Sequence, residues 1–210
     1  MQKKKKACGK SCLQGEDEIK MKLYDISKEL FSTPVYPGDP VPEVERILSI
    51  ENGDACNLSR LSMGSHNGTH MDAPRHFVRD GKSIEQVTLD HSIGECQIID
   101  VEGKATREIL EEELSETCER LLIRGDAEIT VEGARYLAER KLLLVGVEKM
   151  TVGNEKTQKE VHQTLLGTGM VIVENLNLSE IEPGYYFLVA APLRMKDMDG
   201  SPVRAVLIGE

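Results

Sequence analysis

A single α/β domain with a mixed β-sheet is the fold class this sequence predicts, on three observations. Helical and strand periods are interspersed along the chain, as in domains whose helices pack on a sheet. The later half carries short apolar runs, RLLI (120–123), LLLV (142–145) and MVIV (170–173), of the kind that form covered strands. The chain has 210 residues, 40% of them hydrophobic and 30% charged, enough for one sizeable core and too few for two ordinary domains.

The elements follow in order. KLYDIS (22–27) reads as an opening strand. FSTPVYPGDPVPE (31–43) holds four prolines and one glycine, so it is an ordered loop or extended arm. VERILSI (44–50) and CNLSRLSM (56–63) alternate apolar and polar residues, which predicts two half-buried strands. CQIIDVEG (96–103) is a strand and turn. Residues 106–119 begin with a threonine N-cap and place Ile109, Leu110 and Leu114 at helical spacing, with EEELSE (111–116) as a solvated face. RLLIRGD (120–126) is a covered strand, 130–141 a second helix and KLLLVGVE (141–148) a buried strand. Residues 156–169 form a third helix stopped by glycine, and MVIVENL, YYFLVAAPL and VRAVLIGE are three more strands. DMDGSPVR (197–204) reads as a turn lining a pocket, too short for a calcium loop and without its closing glutamate.

Charge narrows the range of partners. The formal net charge is −10, which opposes binding to nucleic acid or to an anionic membrane surface, and no apolar run is long enough to span a bilayer. Aromatics are 4% of residues and tryptophan is absent, against a base-stacking platform. Residues 1–20 differ: six lysines against three acids, with no apolar stretch after the lysine run. We expect a basic, disordered tail there and the domain proper over 21–210. The five cysteines, Cys8, Cys12, Cys56, Cys96 and Cys118, fit no zinc-ribbon spacing and suit reduced thiols in the cytoplasm.

The chain has five histidines, and three of them fall in SHNGTHMDAPRH (65–76). His66, His70, Asp72 and His76 offer imidazole and carboxylate, the ligand types of Zn²⁺ and Mn²⁺. A lone histidine is more often a packed or surface residue than a ligand. Grouping changes that balance. In an extended segment His70 and Asp72 project to one side, Gly68 and Ala73 permit tight folding, and Pro74 stiffens the approach to His76. Of the remaining histidines, His91 reads as surface. His162 lies on the third helix, and Glu174 closes an apolar strand where an unpaired carboxylate would be costly.

HNGTHMDAPRH resembles the HxGTHxDxPxH signature of the cyclase-like metal-dependent hydrolases, which include the bacterial kynurenine formamidases. His66, Gly68, Thr69, His70, Asp72, Pro74 and His76 all match. PVYPGDP, HQTLLGTGMVIVENL and DGSPVRAVLI agree in order, so the resemblance runs from about residue 22 to the C-terminus. It implies a cyclase-like fold with a barrel-like mixed sheet and one or two divalent ions, Zn²⁺ or Mn²⁺. His66, His70, Asp72, His162 and Glu174 would be ligands and His76 the acid–base group. It also implies a homodimer or homotetramer. Two departures bear on substrate: GVEKMTVGN, with Glu148 and Thr151, stands where many members carry a GxDxxS-type segment that shapes the pocket, and Tyr36 stands where some carry tryptophan.

The residue types point to metal-assisted hydrolysis of a C–N amide bond, either a formamide or a small cyclic amide, and the resemblance implies an aryl formamide such as N-formylkynurenine as the expected substrate. Glu174 could act on the attacking water as well as ligate. Tyr36, Phe77 and Met150 are candidate substrate contacts. The alternatives are a cyclic amide, imide or lactone hydrolase on the same site, and a non-catalytic metal or small-ligand binder.

Overall fold

A computed structural model describes residues 21–209; the lysine-rich segment 1–20, and with it the expected tail, lies outside the described residues. In chain order the elements are β1 (Lys22–Asp25), β2 (Glu43–Leu48), β3 (Leu58–Ser62), β4 (His70–Asp72), β5 (Ile93–Asp100), β6 (Gly103–Ala105) and α1 (Arg107–Glu113). Then come β7 (Arg120–Arg124), β8 (Ala127–Ile129), α2 (Val131–Arg140), β9 (Leu144–Val147), α3 (Gln158–Leu166), β10 (Val171–Glu174), β11 (Gly184–Val189), β12 (Gly200–Pro202) and β13 (Val206–Gly209). Nine strands form one curled, half-barrel sheet in the order β1-β13-β11-β5-β7-β9-β10-β4-β12. Its centre, β5-β7-β9-β10, is parallel and both flanks are antiparallel, so the mixed sheet is as expected.

The parallel centre explains the continuous apolar runs. Both faces of these strands are covered, and successive side chains enter opposite layers. Along β7, Leu121 and Ile123 pack with α1, α2 and α3, whereas Leu122 enters the layer on the other face with Met71 and Leu144. Along β10, Ile172 faces the helices and Val171 and Val173 face away. Glu174 shares the parity of Ile172, so its carboxylate projects to the helix side at the carboxyl end of the strand. That end is where open α/β sheets commonly bind ligands.

Three expectations need correction. The alternation over 44–50 and 56–63 does produce β2 and β3, but they pair only with each other, and neither strand has a buried position. Val44 and Leu61 face one another in register and are 57% and 56% exposed. Alternation fixes which side chains share a face, not whether anything packs on that face. The first helix ends at Glu113, short of 119, because Gln97 on β5 takes its terminus: the Gln97 amide donates to the Glu113 carbonyl and accepts from the Ser115 N–H. Within 197–204, Gly200–Pro202 is an edge strand paired with β4; three residues are too few to show a period, and an edge tolerates Pro202.

The N-caps are as expected. Thr106 accepts from the Ile109 N–H and Thr130 from the Gly133 N–H. Among the described residues no helix is long and apolar enough to cross a membrane.

Candidate metal centre

The HNGTHMD segment folds tightly for local reasons. Gly68 has φ +65°, and a Cβ there would meet Leu30 Cδ1 at 2.9 Å, so both conformation and space call for glycine. The Thr69 hydroxyl donates to the Asn175 carbonyl and accepts from the Lys28 N–H, pinning the segment between two distant parts of the chain. His70–Asp72 then enters the sheet as β4, with Asp72 opposite Ile172 and His70 opposite Glu174. Met71 points into the far layer, and His70 and Asp72 point towards the helices. Asp72 is fully buried and His70 is 2% exposed.

Three elements, β4, α3 and β10, and the turn that carries His66 bring their side chains to one point. His66 Nδ1 lies 2.7 Å from Asp72 Oδ1, and His70 Nε2 lies 3.3 Å from the same oxygen. His162, from α3, places Nε2 3.6 Å from Asp72 Oδ2 and 3.3 Å from Glu174 Oε1. Glu174 Oε2 is 3.5 Å from His70 Nε2, and Oε1 also accepts from the Val152 N–H. The second nitrogens are used to orient the rings: His70 Nδ1 donates to the Gly68 carbonyl and His162 Nδ1 to the Gln158 carbonyl. Each ring is thereby held with Nε2 turned towards the carboxylates, an arrangement typical of histidine ligands.

Charge explains what the cluster wants. Burial disfavours a charged His66, yet hydrogen bonds to Asp199 and Asp72 outweigh that and raise it to about 9. His70 and His162 are likewise raised to about 10, against burial, by their bonds to Asp72 and Glu174. Burial pushes Asp72 up; the His162, His66 and His70 rings facing its carboxylate overcome that and hold the carboxyl well below its usual range. Two buried carboxylates here demand positive charge. Asp72 Oδ2 is buried with no hydrogen-bond partner, and one ligand atom from each of His66, His70 and Asp72 falls within 4.8 Å of the others. These residues fit a divalent cation.

His76 sits beside this group on the short helical turn Pro74–His76. Its ring stacks on His66 with centroids 3.9 Å apart, and Phe77 stacks on His162 at 4.3 Å. A cavity of about 200 Å³ opens onto His66, His70, His76, His162 and Glu174, with Tyr36, Phe77 and Met150 in its wall. The residues expected as ligands, as acid–base group and as substrate contacts therefore meet in one place, and His91 stays outside the cavity.

Sequence reasoning missed Asp199. Its Oδ2 lies 2.9 Å from His66 Nε2 and 3.5 Å from His76 Nδ1, and His66, His76 and Asp199 form a second, overlapping metal-compatible group. The only signal was the acidic DMDG stretch. Gly200 next to it is required: a Cβ there would meet His66 Cε1 at 2.5 Å. Glu148 is placed differently from its reading as a pocket residue. Its two carboxylate oxygens accept from the Gly125 and Leu178 N–H groups at 2.7 and 2.8 Å, so it clamps strand ends, while Met150 and Thr151 line the cavity.

A curled α/β half-barrel carrying a buried histidine–carboxylate cluster at the carboxyl end of its parallel strands defines a class of metal-site protein. The model of the family described as "Putative cyclase" matches residues 24–154, and the chain belongs to that family. The match contains His66, His70, Asp72 and His76; His162, Glu174 and Asp199 lie beyond it. A solved structure described as a potential metal-dependent hydrolase with cyclase activity is 28% identical, with TM-score 0.80, covering 91% of this chain and 99% of its own. A predicted metal-dependent hydrolase from Bacillus stearothermophilus is 27% identical, with TM-score 0.79 and coverage of 91% and 100%. Isatin hydrolase A from Labrenzia aggregata shares the fold at 24% identity and TM-score 0.79, with coverage of 90% and 93%.

Proposed function

We propose that this protein is a metal-dependent hydrolase that cleaves a C–N amide bond, with an aryl formamide such as N-formylkynurenine as the substrate class. The observation that carries this reading is the fully buried Asp72, one oxygen without a partner, ringed by three histidines, with a further histidine in the same cavity. The hydrolase descriptions of the two similar structures support it.

His66, His70, Asp72, His162 and Glu174 would hold one or two ions, zinc or manganese. Such an ion, when bound, polarises a carbonyl and lowers the pKa of a water towards ~7. The chain's own residues do the rest. His76, tethered through Nδ1 near Asp199 and held by its stack on His66, has Nε2 for protonating the leaving amine. The Glu174 carboxylate, held by the Val152 N–H, orients the attacking water. Phe77, lying over His162, excludes bulk water from that side.

A second reading, a neutral cyclic amide, imide or lactone as substrate, is favoured by one feature. Among the described residues lining the cavity none is Lys or Arg, so beyond the metal cluster no lysine or arginine side chain stands ready to pair with the carboxylate of N-formylkynurenine. Stripping the protein, reloading it with zinc or manganese and following N-formylkynurenine by absorbance tests the first reading. Metal-dependent turnover supports it. Full metal binding without turnover removes this substrate and moves the search to neutral cyclic amides and lactones. A homodimer or homotetramer in the cytoplasm is part of the same proposal, and light scattering tests the assembly.

A further inference from the structure

Gln158 opens α3 one turn before His162, on the same helix face, and its side chain lies in the wall of the candidate metal cavity. The sequence gives no reason to single it out. The structure does, because its carboxamide is held from one side only. Oε1 accepts from the Tyr36 hydroxyl at 3.0 Å and from the Thr151 hydroxyl at 3.4 Å. Among the described residues neither hydroxyl has another acceptor. In this orientation both hydroxyl protons have an acceptor, whereas the reverse one would turn the NH₂ onto the hydroxyl oxygens and leave both protons without Oε1; the structure therefore sets Oε1 towards Tyr36 and Thr151. Nε2, with its two N–H donors, is left without a protein partner among the described residues.

The position is built. Gly153 has no room for a side chain, since a Cβ would meet Gln158 Cα at 2.7 Å and its N at 2.8 Å; the loop thus lies directly against the start of α3. The Asn154 carbonyl accepts from the Gln158 N–H at 2.8 Å, and the Asn154 side chain accepts from Lys156 and Thr157. Tyr36 comes from the proline-rich arm and Thr151 from the loop after β9, so two separate segments converge to aim one amide.

We propose that Gln158 is a substrate-binding residue whose Nε2 donates to a carbonyl oxygen of the bound substrate, with Tyr36 and Thr151 as positioning residues that fix its orientation. This rests on the amide-hydrolase reading. It explains why the arm with its prolines is folded against the site: the Tyr36 hydroxyl sets which end of the amide the substrate meets. It also changes the role of Tyr36 from a direct contact to a residue acting through Gln158.

Formanilide, a neutral aryl formamide, is the probe. It is titrated into the zinc-loaded protein while two signals are followed: its hydrolysis, and the side-chain NH₂ resonances of Gln158, assigned by their absence from Gln158→Glu. Glutamate keeps both acceptor bonds and removes the donors; Gln158→Met removes both at similar length. Metal content is measured for every variant. The expected result is a ligand-dependent shift of the Gln158 NH₂ pair, a KM raised about tenfold in both variants with a smaller change in kcat, and unchanged metal content. Tyr36→Phe should raise KM about threefold in the native background and add nothing in Gln158→Glu. A shift of the NH₂ pair without hydrolysis would sustain the Gln158 assignment while refuting turnover of this substrate. Hydrolysis with an unmoved NH₂ pair and KM within twofold in both variants would overturn the assignment while leaving the hydrolase reading intact. Neither a shift nor hydrolysis would overturn both.

Discussion

Replacing Glu148 by Gln separates a structural clamp from a pocket residue. Glu148 follows β9, and its carboxylate accepts one N–H from Gly125, after β7, and one from Leu178, after β10. Its own carbonyl accepts from the Lys28 ammonium at 2.7 Å. The segments leaving β7 and β10, which flank β9, and the segment after β1 are thus tied to one residue. In Glu148→Gln one carboxylate oxygen becomes an NH₂ that must face a backbone N–H, so one bond is lost and the other loses its charge assistance. Hydrogen bonds to a charged acceptor contribute about 1.5–3 kcal/mol, so a loss of about 2 kcal/mol is expected. For a chain of this size that is a fall of about 4–8 °C in Tm. Urea denaturation gives the free energy, and metal content and KM are measured on the same preparation; both should match the native protein. A loss under about 0.5 kcal/mol, or a changed KM at unchanged stability, would refute the clamp and return Glu148 to the pocket.

Other outcomes follow from the same geometry. Asp72→Asn, which removes a buried charge from between three histidines, should weaken zinc binding by about 100-fold or more in competition with a chromophoric chelator; unchanged affinity would remove Asp72 from the ligand set. Gly200→Ala drives a methyl to 2.5 Å from His66 Cε1 and should cost about 1–3 kcal/mol together with metal affinity, read by denaturation and calorimetry. Burial pushes the Cys96 thiol up to about 12, so at pH 8 mass-spectrometric mapping should find exposed Cys56 alkylated and Cys96 untouched in the folded protein. The unfolded chain ionises this thiol near its ordinary value and the folded chain only near 12, so its contribution to stability is complete below the unfolded value and lost as pH rises across that window. A denaturation series in alkaline buffers checks the sign against Cys96→Ala, whose stability should fall less over the same range.

The histidine cluster and the covered strands could be read directly because local chemistry decides them. HNGTHMDAPRH concentrates ligand types with the glycine and proline its turns need, and the apolar runs of β7, β9 and β10 have the composition of strands with both faces packed. Thr106 and Thr130 announce their helices for an equally local reason. What the sequence could not show depends on pairing between distant segments. Asp199 reaches His66 only because β12 adds to the edge of β4, and three residues carry no period to announce that strand. Whether β2 and β3 would pack on anything lay outside their own alternation. Glu148 and Gln158 carry ordinary polar side chains whose roles come from what the sheet and the proline-rich arm bring beside them: two backbone N–H groups in one case, two hydroxyls in the other. Spacing along the chain fixes which groups share a face; only the closed fold decides which face meets which, because those contacts join segments that no local pattern connects.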